Sequence, residues 1–254
     1  MRDQKRGFRP PWHISREMFL SEAEVEQLRR HLQATQSESP RQAALAARDR
    51  LLIEALLFSG LRNSELCGLQ IDDTVLGTSQ SAFRVRGTPR QDRTVHVPES
   101  VSLLVRHFVD SHRPHLVRAT EIRDPTHGPL LVNDRGNTFE RTSLYRRVVA
   151  ILTAAGLGDR ASVQLLRHTY GYLAYKRSGG NLLFIQRQMG HAHPMVSSVY
   201  SQFCEENYSE IADRVGQAST SLTIRTSPPR RNVRKEKSNV RSRENPRPRK
   251  SRSR

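Results

Sequence analysis

The sequence predicts a mainly helical α+β domain that carries a small three-stranded antiparallel sheet. Apolar residues recur at mainly helical spacing in several segments, such as 51–58 and 144–152. Three short segments between residues 74 and 97 have strand character instead, and Gly and Pro separate them. When the polar ends are set aside, about 200 residues remain to bury a core, which favours one substantial domain.

Charge divides the chain into three expected parts: an extended basic arm over 1–18, the domain over 19–216 and a disordered basic tail over 217–254. The formal net charge is +17, and residues 225–254 alone hold thirteen Lys or Arg against two Glu, a net +11. Such a segment cannot bury a core. It is a solvated tail or a contact for a phosphate-rich partner such as DNA. The arm contains Pro10 and Pro11, and we expect it to lie against DNA or the body.

The cysteine content argues against a disulfide framework or a zinc site, because only Cys67 and Cys204 are present. We therefore expect a reducing compartment. As separate expectations, the protein needs no metal and no cofactor. The N-terminus has no apolar core for a signal peptide, and the longest apolar run, 51–61, is short and contains Glu54. These features predict a soluble, cytoplasmic protein without a membrane span.

In the first third of the chain, helix signals are clear. Ser21 with Glu24 three residues later has the spacing of a capping box, which predicts a helix through residue 32. The polar residues 34–41 contain a proline and predict a loop. A helix over 48–59 should end at Gly60, and a new helix follows, with Asn63 or Ser64 as its cap.

Strands are predicted at 74–76, 82–86 and 94–97, followed by a helix over 101–109 and a polar loop over 113–128. Residues 130–132 are short and extended, and 143–155 are helical. Further on, Asn181 is expected to cap a helix that ends at Gly190. Pro194 suits the first turn of a helix that carries Tyr200.

Two separated motifs carry a family resemblance. The first is Q-L-L-R-H-T-Y at 164–170, followed by M-G-H at 189–191 and a tyrosine nine residues after that histidine; the second is F-S-G-L-R-N-S-E-L at 58–66. Residues 19–205 thereby resemble the catalytic domain of tyrosine recombinases of the phage integrase family. The family pattern places its functional residues on Arg62, Arg167, His191 and Tyr200.

The resemblance implies metal-independent cleavage and rejoining of double-stranded DNA by an enzyme that assembles on it, as a tetramer over two paired sites. Tyr200 would attack phosphorus and form a 3′-phosphotyrosyl link. Arg62 and Arg167 would hold the phosphate oxygens, because a guanidinium is permanently charged and forks onto two oxygens. His191 would donate to the same oxygens or orient Tyr200.

Two positions depart from the family pattern. Gln164 stands where the pattern has its first histidine, and since an amide does not exchange a proton near neutral pH, we expect it only to bind. The hairpin lysine of the family is replaced by Thr88. Arg86 and Arg90 are the nearby cations, either as catalytic groups or as contacts to the DNA backbone. The histidine that follows Arg167 is expected to be a packing residue.

The function that these residues favour is site-specific DNA recombination, in phage integration or in transposition. Three alternatives stay open: a non-catalytic DNA-binding protein derived from a recombinase, a strand-relaxing enzyme like type IB topoisomerases, and a protein whose basic tail simply coats nucleic acid. The two departures from the pattern favour the first alternative. The survival of both arginines, the histidine and the tyrosine argues against it.

Overall fold

The structure, a computed structural model, describes residues 13–34, 39–77, 80–87, 92–117, 127–193, 195–204 and 208–217. The chain divides into two compact units, 1–205 and 206–254. Of the second unit, the described part is helix α10 (Tyr208–Gln217). Residues 1–12 of the predicted arm and all but the first residue of the predicted tail lie outside the described residues.

The first two helices begin at serine caps. In α1 (Glu22–Gln33) the Ser21 N–H donates to Glu24 Oε2 at 2.7 Å and Ser21 Oγ accepts from the Glu24 N–H at 3.2 Å, which confirms the capping box. Helix α2 (Pro40–Ser59) starts earlier than predicted, so the predicted loop is wrong at residues 40 and 41. The first helical position needs no N–H donor, and proline therefore begins a helix there.

Helix α2 is the centre of the fold. Its buried residues, among them Leu51, Leu52, Leu56 and Leu57, point in different directions around the helix axis. It packs against α1 and against four later helices, α4 (Glu99–His107), α5 (Pro114–Val117), α6 (Arg141–Ala154) and α7 (Val163–Arg177). A helix that is apolar on every side must be enclosed by other elements. Gly60 ends it with φ 63°, as predicted.

Three antiparallel strands form the predicted sheet in the order β1 (Thr74–Leu76), β2 (Ser81–Val85), β3 (Arg93–His96). Their bounds agree with the prediction to within one residue. Phe83 pairs with Thr74 on one side and Val95 on the other. Since Phe83 and Val95 are both fully buried, this face of the sheet joins the main core.

The middle of the chain continues with α4 (Glu99–His107), a π-helical turn (Phe108–His112) and the short α5 (Pro114–Val117). Here the predicted polar loop over 113–128 is wrong at its start. Arg113 is fully buried, with its Nε donating to the Pro129 carbonyl at 3.2 Å. Helix α5 buries Leu116 and Val117, and residues 118–126 lie outside the described part. Helix α6 (Arg141–Ala154) follows.

Helices α7 (Val163–Arg177), α8 (Leu182–Met189) and α9 (Met195–Ser198) complete the first unit. Asn181 caps α8 and Gly190 ends it with φ 64°, as predicted. Tyr200, however, does not lie in the predicted helix; it lies in the turn between α9 and a 3-10 turn at Ser201–Phe203. None of the described helices has the length and apolar character needed to cross a membrane.

A second core cluster lies beside the main one, between α7, α8 and the segment before α1. Its buried members are Ile14, Phe19, Tyr170, Ala174, Tyr175, Ile185, Met189 and Tyr200. The part of the predicted arm nearest α1 is tied to this cluster, because the Gln202 amide donates to the Ile14 carbonyl at 3.1 Å.

Candidate active site

Arg62 precedes the short helix α3 (Asn63–Gly68) and occupies its N-cap position. The predicted caps, Asn63 and Ser64, therefore lie inside the helix. Instead, the carboxylate of Glu65 accepts the Arg62 N–H at 2.7 Å. The Arg62 guanidinium donates to Glu65 Oε1 at 2.7 Å and to the Gly190 carbonyl at 2.8 Å, while 47% of the side chain stays exposed. Arg62 is thus fixed in direction and still open to an anion.

Glu65 binds two arginines in this part of the site. Besides the two bonds from Arg62, it accepts a forked pair from Arg93 of β3, at 2.7 and 2.8 Å. Burial raises the pKa of this carboxyl, but the hydrogen bonds and charges of Arg93 and Arg62 outweigh it and lower the pKa to about 2. Glu65 is therefore an anion at neutral pH. Arg93 also donates to the Gln188 carbonyl at 3.1 Å, which links β3 to α8.

Arg167 lies on α7 with only 5% of its surface exposed. Its guanidinium donates to the carbonyls of Gly60 and Met189, the latter at 2.7 Å. These carbonyls lie at the C-terminal ends of α2 and α8, where the backbone carries partial negative charge that suits a cation. Burial, with the nearby charge of Arg62, lowers the Arg167 pKa to about 10, so the side chain remains charged at neutral pH.

His191 follows Gly190 directly, as the sequence predicts. Its Nδ1 lies 3.0 Å from Ser197 Oγ of α9. Burial, followed by the positive charges of Arg167 and Arg62, lowers its pKa to about 4. The imidazole is therefore neutral at pH 7 and has one donor and one acceptor nitrogen.

Tyr200 is buried, with 1% of its surface exposed. Its hydroxyl lies 3.2 Å from Nδ1 of His168 and directly above Gly171 of α7, where any Cβ would collide with Cζ and Oη of the phenol. Burial raises the pKa of Tyr200, and Arg167 opposes that rise. His168 was expected only to pack, so its contact with the tyrosine hydroxyl is new.

A cleft of about 1090 Å³ lies between the sheet and α8, and it brings together Arg62, Arg86 and His191. Arg93 and Arg187 also line it, whereas Glu65 and Asp92 are its acidic residues. Among the described residues, the lining has four arginines against two acidic residues, which gives the cleft a positive character that suits phosphate. Arg167 and Tyr200 do not line the cleft.

The remaining candidate residues lie in different places. Gln164 is exposed in the first turn of α7 and does not line the cleft. Arg86 is 71% exposed at the end of β2, and its Nε donates to Asp73 at 2.7 Å. Arg90 and Thr88 lie outside the described residues. Within the described part of the chain, no group of three or more His, Cys, Asp or Glu side chains is arranged to hold a metal ion.

Sequence reasoning missed Arg93, Glu65 and His168 as members of this site. Glu65 lies three residues after Arg62 at a predicted helix start, and this spacing could have indicated that its carboxylate accepts the Arg62 N–H. Nothing in the sequence placed β3 against that helix, so Arg93 needed the tertiary structure. His168 follows Arg167 in the chain, but its direction depends on how α7 faces Tyr200.

Comparison with known proteins gives one consistent result. The family model of the phage integrase family matches residues 18–206. Two curated relatives are tyrosine recombinases XerC: one of Mycobacterium sp. strain KMS, 33% identical over 181 residues, and one of Halalkalibacterium halodurans, 29% identical over 193 residues. These alignments cover 69% and 76% of this chain but only 56% and 60% of the relatives, so the chain spans little more than half of their length.

Solved structures of the same kind share the fold. A XerA recombinase is 25% identical with a TM-score of 0.57, over 84% of this chain and 66% of that one. A XerH site-specific recombinase bound to a palindromic difH substrate, in a post-cleavage complex, is 24% identical with a TM-score of 0.61, over 78% of this chain and 53% of that one.

Proposed function

The chain belongs to the phage integrase family, and on that basis we propose that it is a site-specific DNA recombinase, which cleaves and rejoins DNA strands through a 3′-phosphotyrosyl link. Its proposed partners are double-stranded DNA and further copies of itself, assembled over two paired sites. The roles of the individual residues are part of the same proposal, and their geometry supports it.

The observation that carries the proposal is the convergence of Arg62, Arg167 and His191 at the adjoining ends of α2 and α8. The chain brings them from three separate segments, and the carbonyls that orient the two arginines belong to Gly60, Met189 and Gly190. Both arginines are charged and directed before any substrate arrives. Preorganised charge of this kind stabilises a phosphoryl transition state because it needs no rearrangement during the reaction.

A DNA phosphate would enter the basic cleft and meet Arg62 first, because this side chain is half exposed. Arg167 lies buried behind it and would complete the clamp on the non-bridging oxygens, with neutral His191 donating a further hydrogen bond. Loss of one such donor costs about 3 kcal/mol of transition-state stabilisation. The planar guanidinium matters here, since lysine does not fork onto two oxygens.

Tyr200 would supply the nucleophile. Its hydroxyl would lose its proton and its oxygen would form a bond to phosphorus while the bond from phosphorus to the 5′-oxygen breaks, and the 5′-oxygen would leave with a proton from water or from a cation of the hairpin. Rejoining is the reverse attack by the 5′-hydroxyl. Tyr200 is enclosed and does not line the cleft, so the elements that cover it must open toward the DNA, while the phenol keeps its place against α7.

Covalent capture of DNA tests this proposal. Nicked duplexes with randomised sequence would be incubated with the protein, so that cleavage releases a short strand and traps the adduct. We expect recovery of a preferred sequence bound through a bond that survives denaturant. Tyr200→Phe should abolish the adduct while DNA binding is retained, because only the nucleophilic oxygen is removed. Tyr145→Phe, at an exposed position of α6, is the matched control and should form adduct normally.

Other results would redirect the interpretation. Retained adduct in Tyr200→Phe would assign the nucleophile elsewhere, and Tyr170, Tyr172 and Tyr208 would be tested next. DNA retardation without adduct would favour the non-catalytic DNA-binding protein. Relaxation of supercoiled plasmid without strand exchange would favour the topoisomerase-like activity.

A further inference from the structure

The acid-base chemistry of this site has a gap at Gln164. An amide does not take a proton from a phenol, and Gln164 is exposed in the first turn of α7, whereas the hydrogen-bond contact of Tyr200 Oη is with His168. Tyr200 must nevertheless lose its proton to attack phosphorus, and burial raises the pKa of this phenol. A nearby base is therefore required for efficient attack.

We propose that His168 is a catalytic residue of this chain: its Nδ1 accepts the Tyr200 proton during attack on phosphorus and returns it during rejoining. The proposal rests on the recombinase function above. The two reacting atoms lie 3.2 Å apart, at the outer limit of the usual distance for proton transfer between a base and its partner. The Tyr200 ring packs directly on the backbone of Gly171, which lies one helical turn from His168 on the same face of α7. This packing keeps the hydroxyl next to His168.

The proton has a path away from the buried phenol. Tyr200 is enclosed, whereas His168 is half-buried and therefore partly accessible to solvent. In the cleavage step the Oη–H bond breaks, the proton moves to Nδ1, Oη bonds to phosphorus and the 5′-oxygen leaves with a proton from water. In rejoining, the 5′-hydroxyl gives its proton to solvent and its oxygen bonds to phosphorus, while the phosphotyrosyl bond breaks and Nδ1–H returns the proton to Oη.

The other candidates among the described neighbours suit this role less well. Glu65 is held as an anion by two arginines and has a pKa of about 2, which makes it a poor base. His191 directs its Nδ1 toward Ser197 at 3.0 Å. His168 has no such competing partner for Nδ1 besides the tyrosine hydroxyl, among the bonds within the described chain.

The charges around His168 keep it ready to accept a proton. Burial lowers its pKa, and the positive charge of Arg167 on the same helix lowers it further. Two titratable groups of the described chain face His168. They are His191, which follows the end of α8 and is neutral, and the uncharged phenol of Tyr200, which follows α9. The imidazole is consequently neutral at pH 7, which is the form that acts as a base.

The test uses the full chain and the nicked duplex recovered by covalent capture, and it compares adduct formation by wild type and His168→Asn. The asparagine oxygen takes the place of Nδ1 and accepts the hydroxyl hydrogen bond, but it does not take a proton. We expect adduct formation to slow on the order of 10²- to 10⁴-fold, the usual contribution of a general base, with DNA binding unchanged. Because burial and Arg167 lower the pKa of His168, the wild-type rate should fall only at a pH below the ordinary range of histidine, and the variant should not show this fall.

A more acidic phenol separates catalysis from packing. With 3,5-difluorotyrosine at position 200, the nucleophile loses its proton more easily and depends less on a base. The proposal expects the substitution to accelerate His168→Asn at least about ten times more than wild type, a selective recovery of general-base catalysis. Equal acceleration of both proteins would show that His168 only packs and would overturn the inference.

The experiment distinguishes failure of the His168 role from failure of the recombinase function. A wild-type adduct together with a His168→Asn variant of equal rate and pH profile overturns the role of His168 alone. Absence of any wild-type adduct overturns the recombinase function and with it the proton transfer. Should the asparagine variant not fold, the wild-type pH profile decides, because a rate with no fall on the acid side contradicts a histidine base.

Discussion

Glu65 shows how one carboxylate sets the positions of two arginines. It accepts hydrogen bonds from the backbone and guanidinium of Arg62 and a forked pair from Arg93, so α3 and β3 meet on this side chain. Charge-assisted and forked bonds of this kind are the stronger ones in proteins. The direction of Arg62 toward the cleft therefore depends on a residue that does not itself need to touch DNA.

Removing the charge of Glu65 should lower stability in a pH-dependent way. Its pKa is lowered in the folded state from 4.5 to about 2, so its contribution is present above pH 4.5 and is lost as the pH falls toward 2. That difference corresponds to about 3 kcal/mol as an upper value. Glu65→Gln should lower the free energy of unfolding at pH 7 by up to this amount and lose this part of the acid dependence, as measured by urea unfolding between pH 7 and pH 2.5.

Glu26→Gln, at an exposed position of α1, is the control and should stay within about 0.5 kcal/mol of wild type. An acid dependence of Glu65→Gln that matches wild type would show that the carboxylate is not the group that titrates.

Helix α7 positions three residues that build the site. Arg167 and Gly171 are four residues apart, and His168 lies three before that glycine, so one stretch of helix holds the buried cation, the contact to Tyr200 and its seat. Glycine in a helix is ordinarily unfavourable by about 1 kcal/mol relative to alanine. Its presence here is explained by the phenol that lies against the backbone.

Gly171→Ala should therefore destabilise the protein although alanine is the better helix former. The new Cβ would collide with the Tyr200 ring, and the strain of such overpacking costs about 1–3 kcal/mol. We expect a lower melting temperature and faster nitration of Tyr200, because the phenol is displaced from its seat. Gly68→Ala is the control, since a Cβ there meets nothing within 4 Å. A stabilised Gly171→Ala would contradict the packing of the Tyr200 ring against Gly171.

The net positive charge of the whole chain is unevenly distributed between the domain and the tail. Residues 225–254 account for +11 of the net +17, and this segment lies outside the described residues. Its composition favours contact with DNA phosphates over a packed structure. The arginines of the cleft are few and specifically placed, so tail and cleft should contribute to DNA binding in different ways.

Removal of residues 225–254 should weaken DNA binding mainly at low salt. Each lost phosphate contact reduces the slope of log K against log salt by about 0.9, and fluorescence anisotropy over a salt series measures this slope. Preference for the captured sequence over random DNA should persist, because phosphate contacts carry little sequence information. An unchanged slope would show that the tail does not lie on DNA.

Local signals in the sequence predicted most elements correctly. The Ser21 capping box, the ends of α2 and α8 at glycines and the three strands depend on residues that are neighbours in the chain, and the structure confirms them. Errors occurred where a distant contact overrides a local preference. Arg113 appears polar in the sequence, but it is buried because carbonyls around Pro129 accept its hydrogen bonds.

The family motifs, the order of the elements and the uneven charge could be read from the sequence, because these depend on residue type and spacing. Which side chains meet became known only from the folded chain. It placed Arg93 on Glu65, Arg167 on the carbonyl ends of two helices, and Tyr200 in a closed cluster beside His168. The physical reason is that hydrogen bonding and burial act through space, across separations such as the 128 residues between Arg62 and Gly190, and spacing along the chain does not encode them.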